Sequence, residues 1–156
     1  MTTTATTTDP ALDRPLPGAT FGQAVSRFFT KYATFSGRAS RSEFWWWYLA
    51  SIIVNGALSL AMSLSGGWMY DATTNTMTPP SGGYVVFASI LGLWGLATFI
   101  PWLALSWRRL HDSNRPGPWW FIGLIPIVGG IILLVFFLMP SDPAGARFDR
   151  GASAAR

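Results

Sequence analysis

The chain has no cysteine, one histidine and one lysine, and charged residues fill only 12% of its 156 positions. Without cysteine there is no disulfide framework, no thiolate nucleophile and no Cys-ligated metal, and the redox compartment is left unmarked. A lone His111 gathers too few ligands around itself for a zinc site. The shortage of charge excludes an ordinary soluble domain, which carries about twice that fraction. No motif names a reaction, no Ser sits on a recognisable nucleophile turn, and no internal repeat of the inverted-transporter kind is present. No cofactor is implied.

Half the residues are hydrophobic, nine are Trp, and the net charge is +4. The run Arg38-Ala39-Ser40-Arg41-Ser42-Glu43-Phe44-Trp45-Trp46-Trp47 passes from basic residues to a Trp block and then to an apolar stretch. That order reads as the inner rim of a membrane helix, where Arg stays on the cytoplasmic side and Trp settles at headgroup level. Crossing about 30 Å of hydrocarbon takes about 20 apolar residues. Three runs meet that length: 44–64, 84–107 and 119–139. The expected fold is an all-α membrane protein with three transmembrane helices, preceded by an amphipathic interfacial helix. Residues 1–19 read as a disordered Thr- and Pro-rich tail, 20–141 as the membrane domain, and 142–156 as a polar C-terminal tail.

The interfacial helix is expected over 21–36. Phe21, Ala24, Val25, Phe28, Phe29, Tyr32 and Phe35 follow helical spacing, with Gln23, Arg27, Thr30, Lys31 and Thr34 opposite. Thr20 with Gln23 fits a capping box and Gly37 a helix stop. Such a helix lies in the interface plane, or its apolar face packs on the bundle. In the first span, Ser51, Asn55, Ser59 and Ser63 recur every fourth residue and form a small, polar stripe. The stripe predicts a packing face against the other spans, with an oligomer contact or permeation path as the alternative. Pro101 bends the second span near its end. Arg115-Pro116-Gly117 then predicts a short, rigid turn that returns Trp119 and Trp120 to the interface.

Arg27, Lys31, Arg38 and Arg41 precede the first span, the loop 65–83 has no Lys or Arg, and Arg108, Arg109 and Arg115 follow the second. The positive-inside rule puts the N-terminus and the second loop in the cytoplasm. Arg147, Arg150 and Arg156 disagree, because a third crossing carries the tail outside. Pro126 and Gly129-Gly130 offer the alternative of a re-entrant hairpin that returns it. A crossing is the expectation.

Arg38, Arg41, Glu43, Arg108, Arg109, His111, Asp112 and Arg115 fall on one cytoplasmic face as a polar cluster. Glu43 is expected to pair with Arg108 or Arg109, or else to face water or pair locally with Arg41. The basic face predicts a non-catalytic module that binds anionic lipid or a membrane partner, a second copy of the chain being one such partner, with no nucleic acid. The alternative is a subunit of an oligomeric transporter or channel, disfavoured because the spans hold no ionisable residue. A lipid-headgroup or phosphate enzyme ranks third.

Gly37 to Trp46, the Arg108-Arg109-Leu110-His111-Asp112 run, Trp119-Trp120 and Leu124 to Gly129 together resemble the bacterial domain of unknown function 805 family. The resemblance spans about Phe21 to Phe148. It implies a small bacterial inner-membrane protein and brings no activity or catalytic residue with it. The Thr-rich N-terminus, Pro118 and the Ala146-Arg147-Phe148-Asp149 ending depart from the family pattern.

Overall fold

The computed structural model describes residues 14–149, which divide into two units, one of 14–47 with 101–149 and one of 48–100. The chain is mostly helical: α1 Phe21–Thr30, α2 Arg41–Leu64, a hairpin of β1 Met69–Asp71 and β2 Thr76–Thr78, α3 Gly82–Asp112, and α4 Val128–Leu138. Two 3₁₀ segments, Gly117–Leu124 and Pro143–Phe148, flank α4.

The helices α2 and α3 are long and apolar enough to cross a membrane. At 1.5 Å per residue their 24 and 31 residues reach about 36 and about 46 Å. Each outruns its expected span because its polar end is helical too. Ser40 caps α2: its Oγ accepts from Glu43 N at 3.2 Å, and Glu43 Oε2 accepts from Ser40 N at 2.8 Å. This is a reciprocal capping box. α3 carries Pro101 and continues to Asp112. It then ends in a Schellman motif, with Asn114 at φ 58°, Arg115 N on Leu110 O at 2.9 Å and Asn114 N on His111 O at 2.9 Å.

In the unit of 48–100 the helices face outward. Ile53, Leu93 and Leu96 are exposed, as befits surfaces solvated by acyl chains. The polar stripe lies there too: Asn55, Ser59 and Ser63 are exposed, and Asn55 Nδ2 donates back to Ser51 O at 2.7 Å. The expected packing of this stripe against the chain's own spans is not what the described residues form, because back-bonding satisfies Asn55 within α2.

Residues 119–139 are not one spanning helix. The 11-residue α4 reaches about 16 Å, half the hydrocarbon thickness. Between it and the preceding 3₁₀ segment, Val128 N bonds Pro126 O at 2.7 Å around Ile127 at φ 64° and ψ −63°, a γ-turn that reverses the chain. The two arms pack closely. A Cβ on Gly129 would overlap the Ile122 carbonyl, so only glycine fits there. The hairpin starts with Gly117 against the Trp107 ring and ends with Met139 O bonded to Arg109 Nη2, both at the same end of α3.

Two tail expectations change. Residues 1–13 and 150–156 lie outside the described residues. Residues 14–19 pack rather than trail: Ala19 is buried, Leu16 N donates to Glu43 Oε2 at 3.0 Å, and Leu16 O accepts from Ser40 Oγ at 2.6 Å. Residues 142–149 fold back on α3, with Asp142 N on Asp112 O at 2.8 Å and Phe148 stacked on His111 at 4.1 Å. α1 has the expected Thr20–Gln23 capping box but stops at Thr30, with Lys31 as its C-cap and Gly37 well beyond.

Candidate functional site

The eight cluster residues all belong to the unit of 14–47 with 101–149. Most of them face inward. Glu43, Arg108, Arg109, His111 and Asp112 are buried, Arg38 and Arg115 are half-buried, and Arg41 is exposed. Taking charge out of water is costly unless partners are supplied, and the supply explains the geometry.

Glu43 does not pair with Arg108 or Arg109, nor does it face water or Arg41. Its Oε1 meets Arg27 Nε at 2.7 Å and Lys31 Nζ at 3.9 Å, all three groups being almost inaccessible. Its Oε2 takes the amides of Ser40 and Leu16. One carboxylate thus caps α2, anchors the segment before α1, and holds α1 by its basic residues. Arg27 and Lys31 were expected on the solvent side of α1. They turn inward because the capping geometry puts Glu43 under that helix, while Phe28 stacks on Trp47 at 3.4 Å between ring centres and Phe21, Phe29 and Tyr32 stay exposed.

Arg109, fully buried, pairs with Asp112 one turn on, Nη1 to Oδ2 at 2.7 Å. Its other nitrogens cap the end of α4, Nε donating to Phe137 O at 3.1 Å and Nη2 to Met139 O. A guanidinium suits this because its planar fork presents donors in three directions. Asp112 Oδ2 also accepts from Ser141 Oγ at 2.5 Å, while its Oδ1 has no partner among the described residues. Arg108 is different. It has no carboxylate within 4 Å among the described residues, its Nε lacks a partner, and its Nη1 makes one long contact of 3.5 Å to Lys31 O. Its backbone is used, Arg108 O accepting from Ala39 N at 3.0 Å.

Arg38 grips Asp149 through Nε and Nη2, at 2.9 and 2.7 Å. His111 Nδ1 lies 3.1 Å from Gly37 O. Gly145 packs on the last turn of α3, where a Cβ would overlap His111 O. Asp149, Phe148, Ser141 and Gly145 are the partners that sequence reasoning missed, and their separations of up to 111 residues leave no local signal. The Glu43 cap did have one, the Ser40-Arg41-Ser42-Glu43 spacing. No group of three or more His, Asp or Glu placed to share a metal occurs among the described residues.

Outside this framework a cavity of about 510 Å³ opens between the turn after α3 and the turn after α4. Arg115, Trp119, Ser141 and Asp142 help to line it. The Arg115 guanidinium lies 4.1 Å over the Phe136 ring and donates to Ser113 O at 2.9 Å, so it is steered without being neutralised.

The family described as "Protein of unknown function (DUF805)" matches residues 32–150, so the match begins after α1 and not at Phe21. Inner membrane protein YhaH of Escherichia coli K12 is 34% identical over 117 residues, which are 75% of this chain and 85% of that protein. Inner membrane protein YhaI of the same strain is 35% identical over 117 residues, 75% of this chain and 84% of that protein. No solved structure matches the chain at a significant level. With two long apolar helices and this match over most of its length, the chain belongs to the DUF805 family of bacterial membrane proteins.

Proposed function

We propose that the protein is a non-catalytic module of the bacterial inner membrane that binds anionic lipid through its cytoplasmic basic face. One observation carries the reading. The buried carboxylates are matched to inward cations, Glu43 to Arg27 and Lys31 and Asp112 to Arg109, and Asp149 is matched to Arg38. Arg14, Arg41, Arg115 and Arg147 remain exposed or half-exposed with no ion pair among the described residues. Of the carboxylates in this unit, Asp142 alone has no ion pair among the described residues; four unpaired Arg against one Asp leave the surface net positive, and each such Arg near an anionic leaflet contributes about 1 kcal/mol. Arg41 and Arg115 therefore meet lipid phosphates, while Arg108 and Arg109 serve the fold.

The same reading sets the topology. α2 and α3 cross, the 117–138 hairpin enters and leaves on the cytoplasmic side, and N-terminus and tail share that side. α1 lies at the surface with Phe21, Phe29 and Tyr32 toward lipid. Two supports are the Arg asymmetry and the turn at Ile127, which removes the conflict between Arg147 and an external tail.

Lipid retention tests the binding. After extraction in mild detergent, the variant Arg41→Gln/Arg115→Gln/Arg147→Gln retains less phosphatidylglycerol and cardiolipin by mass spectrometry than the unsubstituted protein. Equal retention defeats the reading. Topology is tested with single cysteines in this cysteine-free chain. In intact cells an impermeant thiol reagent labels Cys at Ser81 and spares Cys at Ser113 and Ala146. Labelling of Ala146→Cys restores a third crossing.

A further inference from the structure

Within the loop 65–83 the chain folds into a two-stranded antiparallel hairpin with Tyr70 opposite Met77, Met69 opposite Thr78, and Asp71 opposite Thr76. Side chains alternate across a strand, so this register sorts the loop by chemistry. Tyr70 and Met77 share one face, and the same alternation carried one residue beyond β1 assigns Trp68 to it. Met69, Asp71, Thr76 and Thr78 lie on the other. The only charge between 65 and 83, Asp71, is on the second face.

Nothing in the described chain covers the first face. Trp68 is 65% exposed, Tyr70 60% and Met77 66%. An isolated two-stranded hairpin is marginal in water and gains stability when one face packs on something apolar. The base of the hairpin limits what that can be. Ser81 N donates to Gly66 O at 3.0 Å, the Ser81 hydroxyl donates to Ser65 O, and Gly67 stands against the Tyr84 ring. The strands thus begin three residues from a closed junction between the ends of α2 and α3, a reach of about 10 Å. The headgroup layer is slightly thinner than that reach, about 5 to 8 Å on each side of the hydrocarbon, so the strands stay within it only by lying along it.

We propose that this hairpin lies flat in the headgroup layer of the leaflet where α2 ends and α3 begins, with Trp68, Tyr70 and Met77 toward the acyl chains and the Thr and Asp face toward water. The occupant of the face is lipid, the same solvent that meets the exposed sides of α2 and α3 next to it. Trp and Tyr favour this depth because their rings are apolar with one polar atom. Tyr70 keeps that atom engaged, its hydroxyl donating to Asn75 Oδ1 at 2.7 Å. The absence of Lys and Arg fits a surface that anchors by aromatic rings instead of by charge. The proposal requires that α2 and α3 span the bilayer. It is independent of which side the loop faces and of the Arg face.

Two methionines supply a built-in comparison. Met69 and Met77 are 68% and 66% exposed on the protein itself and sit on opposite faces. Exposure alone therefore predicts equal oxidation. The unsubstituted protein is reconstituted in phosphatidylethanolamine and phosphatidylglycerol vesicles, treated with hydrogen peroxide, and read by peptide mass spectrometry. Met69 is expected to form its sulfoxide several-fold faster than Met77. Equal rates, or a faster Met77, overturn the proposal. In the variant Trp68→Ser/Tyr70→Ser the Met77 rate is expected to rise to that of Met69. A Met77 that stays protected in this variant also overturns it, since the aromatic face would not be what holds the hairpin down.

Discussion

The two units of this small chain solve opposite problems. In the unit of 14–47 with 101–149 the interior is polar and aromatic: Arg27, Glu43, Arg108, Arg109 and Asp112 are all buried, beside the Phe28–Trp47 stack and the Phe44–Phe137 contact at 4.5 Å. In the unit of 48–100 the apolar residues point outward, and the single charged residue, Asp71, sits exposed at the end of β1. The contrast teaches where specificity is stored. Lipid is as apolar as Leu, so apolar burial between helices offers little discrimination there. Buried ion pairs and caps are satisfied in one arrangement only, and they tie segments as distant as Arg38 and Asp149 together.

This difference is broken most severely at Glu43. Glu43→Gln removes the charge that Arg27 and Lys31 share, and the expected loss is about 3 to 5 kcal/mol, the usual cost of breaking a buried pair. Thermal unfolding in detergent reads it. Arg27→Glu/Glu43→Arg is expected to be more stable than either single variant, whereas Glu43→Arg/Arg108→Glu is expected to recover nothing.

Adjacent arginines sharpen the same point. Arg109→Met strands Asp112 and two carbonyls at the end of α4, and a loss of about 3 kcal/mol or more is expected. Arg108→Met removes a buried charge that no described carboxylate contacts and that Glu43 favours only from beyond ion-pair distance, so its expected effect is under about 1 kcal/mol in either direction. Equal losses at the two positions would show that Arg108 is partnered in the membrane.

Packing comes next. Gly145→Ala pushes a methyl into the His111 carbonyl and is expected to destabilise by about 1 to 3 kcal/mol. Ile127→Gly works in the other direction, because a β-branched residue at φ 64° carries strain of about 1 to 3 kcal/mol. A gain of about 1 kcal/mol in thermal stability is expected.

The smallest effect lies in the exposed unit. Asp71 Oδ1 accepts from the Thr73 hydroxyl at 2.6 Å and from Thr73 N at 2.9 Å. Those bonds hold its pKa down at about 2, below the ordinary 3.8. A depressed carboxylate pKa stabilises the turn above pH 3.8, and that contribution is lost as the pH falls through about 2. Carboxyl NMR shifts of Asp71 are expected to show this titration, while Asp71→Asn leaves thermal stability unchanged within measurement.

Several parts of this protein were legible in residue order alone. Crossing helices need about 20 apolar residues and a Trp rim, both of which are local properties, so α2 and α3 could be placed from Phe44 to Leu64 and from Tyr84 to Trp107. The Thr20–Gln23 box is also a local four-residue pattern; the Ser40–Glu43 box has the same spacing but was passed over, Glu43 being expected to reach for Arg108 or Arg109 instead of its own helix start. Hydropathy could not separate a crossing from a hairpin over 119–139, because both are equally apolar. The break in the helix there rests on a γ-turn at Ile127 and on arms that meet at Gly129.

What the sequence by itself determined is the solvent: a chain with this little charge, two long apolar runs and Arg at their rims belongs in a bilayer, and free energy of transfer depends on composition over a short window. Only the tertiary structure decided which charges are internal. Arg27 with Glu43, Arg109 with the end of α4, and Arg38 with Asp149 are pairings across 16, 28 to 30 and 111 residues. Desolvation makes each of them conditional on its partner arriving, so the assignment follows from the packing of the whole unit, and no window of sequence contains it.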